Sequence, residues 1–320
     1  MTTGFTTNKE DPKYNYELRR QSLRSSWVPA TDEARKELLE GSGIVVEFVI
    51  GHSPLPEAEE AVAREQAAHG GFLRLDLVET YADLPRKTLV FFSTVLQKYR
   101  PRYIFKVDDD VFLRLDRVAV AVAQWASIEA DYVGCMKGGQ VLKSPRYRWY
   151  EPNHALLGPE YFTHTWGSAY VLSREIVEAL LFVPPRHLRR LANEDVTVGA
   201  WMLALNATHY DDRRMCAAAC SDSSLVVYDY PKCAGLCEPV KRLLELQADP
   251  ACHSPALQPS GALPLVKPIF IFDAQPDPKW DAKAKNAMRL QRRRTAARIE
   301  RARHQAARAA KAAVPVKAGD

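Results

Sequence analysis

Three adjacent carboxylates close the run Tyr103-Ile104-Phe105-Lys106-Val107-Asp108-Asp109-Asp110-Val111-Phe112. Buried together without a cation, they would repel one another and lose their hydration at heavy cost. At a strand end they can instead chelate a hard divalent ion such as Mn²⁺ or Mg²⁺ through oxygen. Such an ion can clamp a diphosphate. A solvated acidic turn is the other reading that the triplet leaves open. A second acidic pair, Glu194-Asp195, follows Asn193 at an expected helix start. The helix dipole favours acidic residues there on its own account. The functional reading is a general base aimed into a cleft.

Two further segments carry chemistry. In Trp166-Gly167-Ser168-Ala169-Tyr170-Val171-Leu172-Ser173, a glycine between an aromatic residue and a strand permits close approach of the backbone to a ligand. An ordinary strand entry beside a core Trp has the same pattern. In Arg19-Arg20-Gln21-Ser22-Leu23-Arg24-Ser25-Ser26-Trp27, Arg20 and Arg24 share a helix face. Paired guanidiniums suit phosphate, although a solvated basic face explains many such runs.

The elements that must position these residues alternate. Ile44–Ile50, Phe72–Leu75, Tyr103–Val107 and Tyr132–Cys135 read as strands. Glu57–Ala68, Leu84–Tyr99 and Leu115–Ala126 read as helices between them. This order predicts an α/β sheet with helices on both faces, where ligands bind at the carboxyl ends of strands. The Asp triplet sits at one such end. Further along, Ala169–Leu172 reads as a strand and Ser173 as the N-cap of a helix through Leu181. Asn193 reads as the N-cap of a helix over Glu194–Leu205, with late strands at Leu225–Asp229 and Ile269–Phe272. Ala248–Pro268, rich in Pro and Ser, reads as a surface loop.

Charge separates the chain into two parts. The net charge is +5, yet Lys279–Asp320 carries 13 basic and 3 acidic residues. Residues 1–278 are therefore mildly acidic, at −5, and form the expected catalytic domain. Residues 279–320 form a basic Ala/Arg-rich tail, helical where ordered. A nucleic-acid-binding arm is one reading of that tail, but it lacks interleaved aromatics, so no specific nucleic acid is expected. Contact with anionic lipid headgroups is another reading. Hydrophobic residues at 47% exclude a mainly disordered chain. No apolar run approaches the roughly 18 residues that a spanning helix needs. Of the six cysteines, five lie between Cys216 and Cys252. Their clustering and even number point to disulfides in an oxidising compartment, with free thiols as the other reading. The three-residue gaps lack the knuckle spacing of a zinc site. Asn206-Ala207-Thr208 is a glycosylation sequon.

The order and spacing of these segments resemble the beta-1,3-galactosyltransferase family of Golgi hexosyltransferases. That family has an Arg-Arg…Arg…Trp opening and a Tyr-x-Asn-Leu-x-x-Lys-Thr helix start, matched here by Tyr81-Ala82-Asp83-Leu84-Pro85-Arg86-Lys87-Thr88. Its Asp-Asp-Asp-Val-Phe strand end, Gly-x-x-Tyr-Val-Leu-Ser strand and Glu-Asp-Val helix start also occur here in order. The resemblance runs from about Arg19 to about Cys252 and is closest to plant and green-algal members around Tyr132–Leu157 and Lys232–Cys237.

The resemblance implies a GT-A, Rossmann-like α/β fold with a mixed central sheet flanked by helices. It implies an inverting transfer of a hexose, galactose first, from a UDP-sugar to a glycan or glycoprotein in beta-1,3 linkage. Asp195 would be the general base and Glu194 would hold the acceptor. Asp110 would coordinate Mn²⁺ (or Mg²⁺), with Asp108 and Asp109 near the nucleotide and the ion. Arg20, Arg24 and Lys87 would contact the nucleotide, and Trp166 and Gly167 would shape the sugar pocket. Many relatives carry a late metal-binding His where Asp229 stands here. Pro85 departs from the helix-start motif but falls in a first turn, where proline is tolerated. Relatives also have an apolar strand before the Arg-Arg segment and a membrane anchor further upstream. Met1–Tyr16 has no such run, so the expectation is an incomplete first strand, with the anchor and much of that strand outside this chain. Golgi residence follows from the resemblance. A binding or scaffold protein of the same fold, without catalysis, is the alternative.

Overall fold

The computed structural model describes residues 1–254 apart from 81, 82 and 148. The Ile269–Phe272 strand, the basic tail, the expected boundary at 278/279, the later part of the Pro/Ser loop and Tyr81-Ala82 lie outside the described residues.

From residue 48 to residue 140 strands and helices alternate in the expected order, interrupted by one short extra strand. The elements run α1 (Tyr16–Arg24), α2 (Asp32–Ser42), β1 (Phe48–His52), α3 (Pro56–His69), β2 (Phe72–Val78), α4 (Leu84–Lys98), β3 (Tyr103–Val107), β4 (Phe112–Leu113) and α5 (Leu115–Ser127). Then follow β5 (Tyr132–Gln140), β6 (Glu160–Ser173), α6 (Arg174–Phe182), α7 (Glu194–Ala204), β7 (His209–Asp211), β8 (Val226–Val227) and α8 (Pro239–Ala248). Strand β1 starts at Phe48 rather than Ile44, and β6 begins nine residues before the expected Ala169. Ser173 caps α6, its hydroxyl accepting the Ile176 N–H at 3.2 Å. Asn193 occupies the N-cap position of α7, but its side chain makes no capping bond. Its carbonyl instead accepts both the N–H and the hydroxyl of Thr197.

Strands β3, β6, β5 and β7 lie side by side in that order. Strand β6 runs antiparallel to β3 and β5, and β7 runs parallel to β5. Strands β1 and β2 form a parallel pair, and Thr2 bridges Val49 of β1 and Asp108 beyond β3, parallel to both. Met1–Thr3 therefore takes a strand position between the two pieces and makes one mixed sheet of them. Here the parity of β3 decides the pairing. Its even-numbered residues bond to β6, as Asp108 N–H does to Ser168 O at 2.9 Å, so Val107 turns outward and accepts the Thr2 N–H at 2.8 Å. Next to Met1 the space among β1, β3, α4 and α5 opens into a mainly apolar cavity of about 370 Å³.

Side-chain alternation sends the sheet's apolar residues to two cores. Val107, Val133, Cys135, Ala169 and Val171 pack with α5, β8 and α8. Ile104, Tyr132, Met136, Tyr170 and Leu172 pack with α4, α6 and α7. All six cysteines are paired, as Cys135–Cys216, Cys220–Cys252 and Cys233–Cys237. Among the described residues, no helix is long and apolar enough to cross a membrane.

Candidate active site

The carboxyl end of β3 delivers the Asp triplet, and the three residues meet different fates. Asp108 accepts bonds from Thr2 Oγ1 at 2.8 Å and from Lys106 Nζ. Asp109 is buried and accepts from Thr3 Oγ1 at 2.6 Å and from Arg19 Nη1 at 2.8 Å. Asp110 keeps one buried oxygen, Oδ1, with no hydrogen-bond partner. Burial, then the charges of Asp108 and Asp109, push its pKa up to about 7. An unmet buried carboxylate oxygen among like charges is an environment that calls for a cation.

Gly235 closes over that carboxylate. A Cβ there would lie 2.3 Å from Asp110 Cγ, so no other residue fits without displacement. The loop is fixed by the Cys233–Cys237 disulfide and by Leu236 N–H donating to Asp110 O at 2.6 Å. Asp229, expected as a metal ligand, braces this loop instead. Its Oδ2 accepts the Cys237 N–H at 2.8 Å, and its Oδ1 lies 3.5 Å from Arg242 Nε. Among the described residues, no three His, Cys, Asp or Glu side chains converge on one point where a metal could sit. Among the described residues, Asp110 offers a buried carboxylate oxygen with no hydrogen-bond partner.

The first turn of α7 supplies the second acidic pair, and its two members face different ways. Glu194 is turned inward. It accepts from Thr88 Oγ1 at 2.7 Å and Tyr170 OH at 2.6 Å, and its other oxygen lies 3.8 Å from Lys106 Nζ. Burial raises its pKa. Glu194, expected to hold the acceptor, thus has one oxygen taken by two internal hydroxyls and the other facing Lys106. Asp195 accepts from Lys137 Nζ at 2.8 Å through Oδ2 and from the Val196 N–H at 2.9 Å through Oδ1. Burial alone would raise its pKa, but Lys137 and then His164 outweigh burial and hold it at about 2. Gly167 packs against it. A Cβ at Gly167 would touch Asp195 Cβ at 3.4 Å. Trp166 stands beside both, with Lys137 Nζ 4.1 Å above its ring and Tyr230 edge-on at 5.6 Å.

Lys106 joins these pieces. It donates to Asp108 and to Gly167 O, and it lies close to Glu194. Burial works against its charge, but Asp108 and Glu194 outweigh burial and keep it protonated. A lone Lys inside the apolar strand Tyr103–Val107 was the available signal for this role. No comparable signal marked Lys137, which sits in a Met-Lys-Gly-Gly stretch.

Of the three expected nucleotide contacts, two pair with a buried glutamate and one lies beside the triplet. Arg20 and Arg24 do share a face of α1, but it faces Glu65 of α3. Arg20 bonds Glu65 through Nη2 at 2.6 Å and Arg24 through Nη1 at 2.7 Å, all three side chains being buried. These guanidiniums clamp α1 to α3. Arg19, off that face, is the one that reaches the triplet. Lys87, in the first turn of α4, is buried beside the triplet. It donates to Thr3 O at 2.7 Å and pairs with Glu79.

A mixed α/β sheet flanked by helices, with carboxylates at a strand end and an acidic helix start beside a glycine, is consistent with a GT-A-like transferase fold. Residues 18–213 match the galactosyltransferase family model, and the chain belongs to that family. It is 40% identical over 242 residues to the Arabidopsis thaliana protein named "Probable beta-1,3-galactosyltransferase 13", covering 76% of this chain and 71% of the relative. It is 42% identical over 242 residues to "Probable beta-1,3-galactosyltransferase 12" of the same plant, covering 75% of this chain and 65% of the relative. The chain thus spans less than two thirds of the length of the second relative. By family it is a hexosyltransferase.

Proposed function

We propose that this chain transfers galactose from UDP-galactose to a hydroxyl of a glycan or glycoprotein, in beta-1,3 linkage and with inversion at the anomeric carbon. The observation that carries the chemistry is Asp195, a largely shielded carboxylate held ionised at the start of α7 and pressed against Gly167. Inversion by one in-line displacement needs such a group. The acceptor hydroxyl gives its proton to Asp195 as its oxygen bonds to the anomeric carbon. The bond from that carbon to the donor's phosphate oxygen breaks, and its electron pair leaves with UDP.

A divalent cation suits the other end of the site. Asp110 has an unmet, hard oxygen, and Mn²⁺ or Mg²⁺ at such sites is held by one or two carboxylates with the substrate's phosphates. Bound there, the ion would screen charge on the departing diphosphate. Lys87 and Arg19 add positive charge beside the triplet. The disulfides support residence in an oxidising lumen, and the Golgi is the compartment that we propose from the family resemblance.

The test is Asp195→Asn, assayed for UDP release from UDP-galactose with Mn²⁺ and for UDP binding by calorimetry. Loss of turnover by at least about 100-fold is expected, with UDP affinity kept. Undiminished turnover would remove Asp195 as the base. A wild-type chain that binds sugar but never turns over would favour the non-catalytic reading.

A further inference from the structure

Lys137 lies outside the five short motifs that set the family resemblance, within the Tyr132–Leu157 stretch, yet it touches the proposed base. It projects from β5, and its ammonium is held between two partners, the Trp166 ring at 4.1 Å and Asp195 Oδ2 at 2.8 Å. The pair is largely shielded, with side-chain exposures of 14% and 13%. The Val196 N–H fixes the second oxygen of Asp195, and Gly167 packs on its Cβ. The carboxylate is therefore gripped from β5, β6 and its own helix.

Other charged and titratable groups face Asp195 but are committed elsewhere. From β6, His164 sets Nδ1 against Phe162 O at 2.8 Å, and burial lowers its pKa. Tyr161 OH donates to Glu151 Oε2 at 3.3 Å. From β5, Tyr132 OH bonds the Thr165 hydroxyl at 2.7 Å. From β3, Lys106 serves Asp108, Gly167 O and Glu194. On α7 itself, Glu194 is tied to Thr88 and Tyr170.

We propose that Lys137 is a positioning residue of the transfer reaction: seated between Trp166 and Asp195, its ammonium sets the rotamer and the charged state of the carboxylate that takes the acceptor's proton. The inference rests on Asp195 being that base. Without Lys137, burial would favour the protonated acid, which cannot accept a proton. Trp166 acts through Lys137 as well, and the ring face under the ammonium is not open to a sugar in this state.

The test is the pH profile of UDP release from UDP-galactose with Mn²⁺, water serving as acceptor, from about pH 4.5 to about pH 8.5. Wild type, Lys137→Met, Lys137→Arg and Asp195→Asn are compared, with thermal unfolding and UDP binding measured on each. In wild type, Asp195 stays ionised throughout this window. In Lys137→Met its pKa must rise, so the rate should fall up to about 10-fold per pH unit below a new acid limb and recover above it. Lys137→Arg should restore the wild-type profile, and UDP affinity should not change. If Lys137→Met does not fold, Lys137→Gln carries the same comparison. An unmoved acid limb beside an inactive Asp195→Asn would overturn the role of Lys137 and leave the base standing. A fully active Asp195→Asn would overturn both.

Discussion

Lys106→Met removes the cation that joins β3, Gly167 and α7, and its cost can be worked from its contacts. Met keeps the length of the stem, so little cavity is made. What is lost is a buried charge serving two carboxylates, since Lys106 donates to Asp108 and lies 3.8 Å from Glu194. Removing one partner of a buried pair costs about 3–5 kcal/mol. In a domain of this size each kcal/mol lowers Tm by about 2–4 °C, so a fall of about 6–20 °C is expected. The loss should also depend on pH. Burial already raises the pKa of Glu194, and Lys106 is the largest opposing influence. Without it the folded-state pKa climbs further. A carboxyl whose folded pKa is raised favours folding at low pH and costs stability as pH rises past its unfolded value of about 4.3. The deficit of the variant should therefore grow between about pH 5 and about pH 8, by about 1.4 kcal/mol for each further unit of rise. Scanning calorimetry of both proteins at the two pH values, disulfides intact, measures it. A Tm difference under about 2 °C at the higher pH, or an equal one at both, would refute the reasoning.

Gly235→Ala would set a Cβ 2.3 Å from Asp110 Cγ in a loop closed by a disulfide. Mn²⁺-dependent UDP binding should weaken by about 10–100-fold in a calorimetric titration, and unchanged binding would free Asp110 of its metal role. Glu65→Gln should cost about 3–5 kcal/mol near pH 7, because it strands Arg20 and Arg24 as unpaired buried charges. Burial opposes the charge of Glu65, but the two arginines outweigh it and lower its pKa, so the contribution is present above the unfolded value and lost as pH falls. UDP affinity should hold within about 2-fold, since Glu65 touches no candidate site residue beyond those two.

The architecture was legible where periodicity and burial agree. Tyr103–Val107 and the helices α3, α4 and α5 follow their apolar spacing to within a residue or two. Helix α2 escaped notice because none of its residues is buried, so it carries no apolar stripe to detect. The acidic residues were visible as types but not as roles. Arg20 and Arg24 show why. Helical spacing gives which residues share a face, but not what that face meets, and here it meets Glu65 across 41 residues or more of chain. The contacts of Asp229 were hidden for a similar reason. Its partners are a backbone N–H at Cys237 and the side chain of Arg242, and neither is encoded near it.

The two neighbours Glu194 and Asp195 show how a fold assigns chemistry. In sequence they are near-equivalent acids at the start of one helix, both favoured by its dipole. Successive residues on a helix point about 100° apart, so each side chain meets a different lysine in a different setting. Glu194 enters an interior where Lys106 stays 3.8 Å away and hydroxyls of Thr88 and Tyr170 take the contacts, and its pKa rises. Asp195 meets Lys137 directly at 2.8 Å, and its pKa falls. Environments that drive paired acids apart in pKa assign them separate tasks. The group kept ionised is the one able to receive a proton during transfer. The group held by hydroxyls and a distant ammonium ties α7 to β3, and through Lys106 to the Asp triplet. One buried lysine on the strand that bears the triplet thereby links the proposed proton-accepting end of the site to its proposed cation-binding end.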